Sequence, residues 1–241
     1  MKRDIKNDLE KLYCKIANCH ICPKMDNKKA LRKSEAVSPK TDVFIISQAL
    51  AEGQLRESGV NFFSRTGEPG DTGRRLEQFL NKFNQTIYPS QKIVLKEGEI
   101  VPNKSKNFSS VYNTEITQCY PGKSLLKKGD RIPEKLEIIN CFNQGFLNAE
   151  INIIKPKLLL LMGKTSTNNF YSHFLDIRNK QSLNAIIEDN IAKKKIPTTN
   201  IFGFPIGFTP LQHASGANPN FYKMLENNAY INLIKKFLNE S

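Results

Sequence analysis

No stretch of this 241-residue chain is long and apolar enough to suggest a membrane span. Its longest unbroken aliphatic run, Leu158 to Met162, falls far short of the roughly 20 residues a bilayer helix needs. The opening residues, Met1-Lys2-Arg3-Asp4-Ile5, lack the apolar core of a secretory signal, which predicts a cytoplasmic protein with no membrane partner. Cysteine is sparse, at five residues, and thiols in a reducing compartment are poor candidates for a disulfide framework. Acidic residues are outnumbered, 23 against 36 Lys plus Arg. Low complexity is absent as well: apolar residues make up 39% of the chain and aromatics 9%, enough to build a core and to exclude a disordered tail, a collagen or a coiled coil.

What is present starts with charge. A net charge of +13 points to a polyanionic partner, because neutralised phosphates release counterions and strengthen binding. A compositional bias toward Lys, Asn and Ile is the bland alternative. The cysteines fall into an N-terminal group, Cys14, Cys19 and Cys22, and two distant residues, Cys119 and Cys141. Cys19-His20-Ile21-Cys22 is a C-x-x-C pair with no second such pair to complete a zinc ribbon. Further ligands would have to come from Cys119 and Cys141, leaving Cys14 spare. Four thiolates from three segments suit a metal or cluster that pins an N-terminal arm to a core. Spacing alone does not choose between iron–sulfur and zinc, and buried free cysteines are the other possibility.

The pattern along the chain predicts an α/β fold. Residues 1–38 read as a basic arm, with a helix near Ile5 to Ile16. Val43-Phe44-Ile45-Ile46 is a short apolar run of the buried-strand type, and Asp71-Thr72-Gly73 opens a helix with Leu76, Phe79, Leu80 and Phe83 at helical spacing. Residues 84–107 are polar and Lys-rich and read as an insertion in a domain spanning 39–241. A strand from Val111 to Thr117, a helix from Pro133 to about Ile154, a strand at Leu158 to Met162 and a helix from Thr165 to Leu175 follow. The segment Ile201 to Ser215 then leads into a terminal helix at Asn220 to Leu238. Alternating strands and helices predict a three-layer α/β/α arrangement around a central, mostly parallel four-stranded sheet, with a metal-stapled helical arm at the N-terminus. Sites in such sheets lie at the carboxyl ends of the strands.

Gly163-Lys164-Thr165 after a strand invites a phosphate-loop reading, but Leu158 stands where that motif needs its first glycine. Gly163 is better read as a sharp strand-to-helix turn. Three other loops contain plausible chemistry. The first runs from Ser47 to Phe63, with polar groups beside an aromatic pair. The second contains Asn113 and Glu115, alternate residues on one strand face, and the third is Gln212-His213-Ala214-Ser215.

These segments, in order, resemble the uracil-DNA glycosylases that hold a four-iron four-sulfur cluster, within the wider uracil-DNA glycosylase superfamily. That family has an N-terminal C-x-x-C, a strand ending in G-E-x-P-G, then G-x-P-F, G-x-x-L-L, T-N-x-x-K-C-x-P-P, a further cysteine, and H-P-S. The counterparts here are Cys19 to Cys22, Ser47 to Ala51, Gly59-Val60-Asn61-Phe62, Gly73-Arg74-Arg75-Leu76, Thr114 to Gly122, Cys141 and His213-Ala214-Ser215. The departures are Ser47-Gln48 for Gly-Glu, Glu115 for the base-reading Asn, Ala214 for Pro, a first loop about one residue longer, and a wider spacing between Cys119 and Cys141.

The resemblance implies a DNA-repair glycosylase, acting as a monomer, that hydrolyses the N-glycosidic bond of a flipped uracil or related deaminated base in DNA. It implies a four-iron four-sulfur cluster on Cys19, Cys22, Cys119 and Cys141, with zinc as the alternative. Phe62 would stack the base, His213 would donate to its developing oxyanion, and Gln48 or Glu52 would orient the water. Ala49, Asn113, Glu115 and Ser215 would contact the base, Glu115 favouring an amino-bearing or protonated edge over uracil O4. Arg74, Arg75, Lys123, Lys127 and Lys128 would meet phosphates, with the leucines between them able to wedge into the base stack. A non-catalytic iron–sulfur nucleic-acid-binding protein of the same fold, a glycosylase with another substrate and a zinc-stapled binding module are the competing expectations.

Overall fold

The structure, a computed structural model, describes residues 4–29, 34, 37–38, 40–52, 58, 60–95, 100–102, 108–125 and 129–240. Its elements in chain order are α1 (Ile5–Ala17), β1 (Asp26–Lys29), β2 (Val43–Ser47), α2 (Asp71–Asn81), β3 (Gln85–Thr86), β4 (Ile93–Val94), β5 (Ile100–Val101), β6 (Ser109–Ser110), β7 (Tyr112–Glu115) and β8 (Cys119–Tyr120). They continue with α3 (Lys135–Asn143), α4 (Phe146–Ile154), β9 (Leu158–Met162), α5 (Gly163–Phe174), α6 (Leu183–Ala192), β10 (Thr198–Thr199), β11 (Ile206–Leu211), α7 (Pro219–Glu226) and α8 (Asn228–Glu240).

The central sheet has the order β10-β11-β9-β2-β7. Its strands β11, β9, β2 and β7 are parallel, as the pattern predicts, and β10 adds a short antiparallel fifth strand at one edge. Two threonines are too short a run to announce a strand, so this edge is visible only in the fold. Buried on both faces, β2 is apolar from Val43 to Ile46 and β9 throughout, and the alternation of side chains divides them between two cores. Val43, Ile45, Leu158 and Leu160 pack with Phe79 of α2, Ile187 of α6, Phe221 of α7 and Tyr230 of α8. Phe44, Ile46, Leu159 and Leu161 pack on the opposite face with Leu9 of α1, Phe142 of α3, Ile151 of α4 and Phe170 of α5. Each such side chain contributes about 1.5–3 kcal/mol when withdrawn from water.

Two expected helices are each divided. The long helix from Pro133 is broken into α3 and α4 where the Gly145 N–H turns back to the Phe142 carbonyl at 2.8 Å. The terminal helix is broken at Asn227, whose side chain accepts from the Tyr230 N–H at 3.0 Å and so caps α8. In the N-terminal arm, Leu9 lies fully buried against one face of the sheet, and Leu12 and Ile16 pack on Phe146. Within the 84–107 segment, Ile87, Tyr88, Ile93, Leu95 and Val101 are buried against the core. Residues 96–99 and 103–107 lie outside the described residues.

Register aligns the strand ends. Ser47 pairs with Glu115, Ile46 with Leu161 and Leu211 with Met162, so β2, β7, β9 and β11 release their chains along one edge of the sheet. The loops that follow them build the site.

Candidate active site

A cleft of about 390 Å³ opens at this edge, within the size range of small-molecule pockets. Its described lining includes Gln48 and Ala49 after β2, Asn61 and Phe62, Met162 to Thr165 across the β9–α5 turn, and His213 after β11. Gly163 takes a φ of 85°, the left-handed conformation that lets α5 begin directly at the end of β9. Lys164 and Thr165, in the first turn of α5, thereby enter the cleft wall.

Phe62 is the most constrained residue of the site. It is buried, lines the cleft, and adopts a φ of 70°, which for an aromatic residue is strained backbone. Two contacts impose it. The Gly70 N–H donates to the Phe62 carbonyl at 2.8 Å, and α2 approaches so closely that a Cβ at Gly73 would stand 2.4 Å from the same oxygen. The loop on the other side is braced at Asn218, whose side chain donates to the His213 carbonyl at 2.9 Å and accepts from the Asn220 N–H at 3.1 Å to cap α7. His213 is an exposed residue, yet the protein around its ring removes enough water to hold its pKa below the ordinary imidazole value. At neutral pH it is a neutral donor.

Asp130 and Arg131 also line the cleft, and no motif in the sequence points to either. Burial by itself would raise the Asp130 pKa. Hydrogen bonds from the Tyr120 hydroxyl at 2.8 Å, the Glu52 N–H at 3.1 Å and Lys123 at 3.1 Å outweigh it and hold the carboxyl below its usual range. Tyr120 is pushed up to about 12 by burial and by this bond. Arg131 is held in a two-pronged pair by Glu137, at 2.7 and 2.6 Å, and reaches the Lys24 carbonyl at 3.2 Å. It thus ties the cleft to the segment after the C-x-x-C pair.

The remaining candidates are distributed as follows. The Glu52 carboxylate pairs with Lys123 at 2.6 Å, beyond the described cleft lining, and that hydrogen bond raises the Lys123 pKa. Asn113 and Glu115 do lie on one face of β7, and both meet Asn61: its Nδ2 donates to Asn113 Oδ1 at 2.9 Å and to Glu115 Oε1. Glu115 is fully buried behind Asn61. Ser215 is half-buried, outside the described lining. Arg74 contacts the Pro69 carbonyl and Asp71, while Arg75 donates to the Tyr222 hydroxyl at 3.0 Å and covers Gly216. Lys127 and Lys128 lie outside the described residues. Leu125, which precedes them, is fully exposed, and Lys123 pairs with Asp130 in an isolated antiparallel bridge.

Cys19, Cys22, Cys119 and Cys141 line one small cavity, brought together because β1, which follows the C-x-x-C pair, runs antiparallel to β8, with Lys29 opposite Cys119. Cys14 is exposed elsewhere on α1. Asn140 Nδ2 lies 3.6 Å from Cys22 Sγ, and burial pushes the Cys141 thiol up to about 12. Among the described residues no three His, Cys, Asp or Glu side chains are arranged to hold a metal ion. The convergence of four soft donors on one cavity, with an amide N–H aimed at a sulfur, nonetheless fits a thiolate-ligated group.

A mainly parallel sheet with a cleft at its carboxyl edge, walled by a strained aromatic residue and a histidine, has the placement of a ligand-binding site in an α/β fold. The chain matches the family model of the uracil DNA glycosylase superfamily over residues 35–238, and it belongs to that superfamily. No curated protein matches its sequence. Among the described residues no helix is long and apolar enough to cross a membrane.

Proposed function

We propose that this protein is a DNA-repair glycosylase that hydrolyses the N-glycosidic bond of uracil or a related deaminated base extruded from DNA. The observation that supports it most is the pairing, in one cleft, of Phe62 held in a left-handed conformation with His213 on a braced loop. An extruded base stacks on the Phe62 ring, and His213 donates to the base oxygen that gains charge as the bond breaks. Water adds its oxygen to C1′ of the sugar while the base leaves with the bonding electron pair, and a proton of the water passes to the base or to solvent. Gln48, in the cleft wall, orients that water, although an amide takes no proton. The ionised Asp130 stabilises positive charge developing on the sugar. Leu125, fully exposed two residues after Lys123, enters the gap left in the base stack.

The four cleft-remote cysteines are, in this proposal, ligands of a four-iron four-sulfur cluster. Cys19, Cys22, Cys119 and Cys141 would hold it, and its contribution is structural, tying α1 and β1 to the β8 region. Zinc is the alternative occupant.

The test is an assay of the purified full chain on oligonucleotides containing uracil, hypoxanthine, xanthine or a mismatch. Release of a free base, identified by mass, with an intact sugar–phosphate backbone is the expected result. Salt-sensitive binding with no base released from any of them would instead mark a non-catalytic nucleic-acid-binding protein.

A further inference from the structure

We propose that Asn61 reads the extruded base, as a hydrogen-bond acceptor whose direction is fixed by Asn113 and Glu115. The inference rests on the proposed glycosylase activity and goes beyond it by naming the base edge that is accepted. Asn61 directly precedes Phe62, lines the cleft and is 93% buried, its exposure being 7%. A carboxamide is ambivalent, with a donor end and an acceptor end, and an amide in a cleft wall can present either. Here the choice is removed. Nδ2 donates to Asn113 Oδ1 and Glu115 Oε1, and the Glu115 carboxylate, which has no donor when ionised, would oppose the Asn61 oxygen if the amide turned over. The opposite end, Oδ1, is buried and has no hydrogen-bond partner among the described residues.

A buried acceptor left unmet calls for a donor from the ligand. Deamination supplies one: cytosine N3 and adenine N1 are ring acceptors, whereas uracil N3 and hypoxanthine N1 carry hydrogen. Against an oxygen that can only accept, a lactam N–H forms a bond and an unprotonated ring nitrogen is repelled. Where the Asn61 oxygen faces the ring nitrogen, the arrangement therefore selects the deaminated base; the parent would have to turn its exocyclic amine to that oxygen instead. Glu115 and Asn113 are positioning residues that act through Asn61, with Glu115 fully buried at its back.

The experiment uses the full chain and duplexes identical except at one position, which holds uracil or 3-methyluracil, hypoxanthine or 1-methylhypoxanthine. Within each pair only the N–H is replaced. Extrusion is followed by fluorescence of a neighbouring 2-aminopurine and excision by single-turnover rate. The unvaried protein should favour the N–H member by about ten- to a hundredfold, the factor a met against an unmet buried acceptor supplies. Asn61→Leu, which keeps the branching at Cγ but has no acceptor, should bring both ratios close to one, and Glu115→Gln should lower them by letting the Asn61 amide turn its oxygen to a donor. Asn113→Ala should preserve them, because Glu115 still anchors Nδ2. If Asn61→Leu leaves the ratios unchanged, and above all if Asn113→Ala abolishes them when Asn61→Leu does not, Asn61 is not the reader although the glycosylase activity stands. A protein that neither extrudes nor excises any of the four bases overturns the activity and this inference together.

Discussion

Replacing Gly73 by Ala should separate catalysis from stability. The new Cβ would stand 2.4 Å from the Phe62 carbonyl oxygen and 3.1 Å from both Phe62 Cβ and Pro69 Cβ. Reaching ordinary contact requires the Phe62 backbone to retreat by roughly 1 Å. Overpacking of this kind costs about 1–3 kcal/mol, and Ala recovers up to about 1 kcal/mol through its higher helix propensity in α2. The net loss is then about 0–3 kcal/mol, a fall of up to about 12 °C in Tm for a chain of this size. Catalysis should suffer more, because a displacement of about 1 Å in a positioned group can cost roughly 100-fold in rate. The control is Gly70→Ala, whose Cβ meets the same oxygen at an ordinary 3.8 Å and whose φ is −66°, suitable for Ala. Thermal melts and single-turnover excision on both variants decide the matter. A folded Gly73→Ala protein with an unchanged rate would refute the claim that the Phe62 conformation is part of the mechanism.

Three further outcomes are expected, and a fourth concerns pH. Anaerobic preparations should be brown and contain iron; Cys14→Ser should retain the iron and Cys141→Ser should lose it, whereas colourless protein with stoichiometric zinc would reverse the cofactor assignment. DNA affinity should fall steeply as salt rises, and neutralising Lys127 and Lys128 should flatten that slope by about 0.9 for each phosphate no longer neutralised. Leu125→Ala should slow excision from duplex more than from single strands, and equal slowing would count against a wedge. Stability should decline as the pH is lowered, since burial depresses the pKa of both His173 and His213. Their folded forms bind fewer protons than the unfolded chain, so the stability present above about pH 6.5 is lost between that pH and their folded pKa values. His173→Phe, which keeps the ring stack on Phe142, should weaken that decline in melts at pH 7.5 and 5.5.

The parts of this fold that can be read from sequence are those where burial acts on consecutive residues. Strands β2 and β9 are buried on both faces, so each position had to be apolar or small, and the runs stand out. Strand β11, Ile206-Gly207-Phe208-Thr209-Pro210-Leu211, is as thoroughly buried but hides its identity behind Gly, Thr and Pro. Its Thr209 is accommodated only by partners elsewhere, Asn190 at 3.0 Å and Tyr230 at 2.9 Å. Glu150 is similar: a fully buried carboxylate inside an apolar helix, met by the Tyr112 and Thr114 hydroxyls at 2.6 and 2.7 Å. Neither pairing leaves a local trace. At the site, Phe62 and His213 could be found because they lie in ordered motifs. Asn61 and Asp130 could not, because Asn61 acquires meaning from residues 52 and 54 positions away, and Asp130 from a tyrosine, a lysine and a backbone N–H on separate segments.

The central claim is that His213 supports departure of a base stacked on Phe62, and single-turnover counting of abasic sites tests it most directly. With a uracil-containing duplex held saturated by the full chain, alkali should cleave the strand at the uracil position and nowhere else. His213→Ala should bind the same duplex equally well and form those sites about 100- to 1,000-fold more slowly, as loss of an oxyanion donor does. A His213→Ala protein as fast as the unvaried one, or a duplex that is bound but never made alkali-labile, would contradict the account.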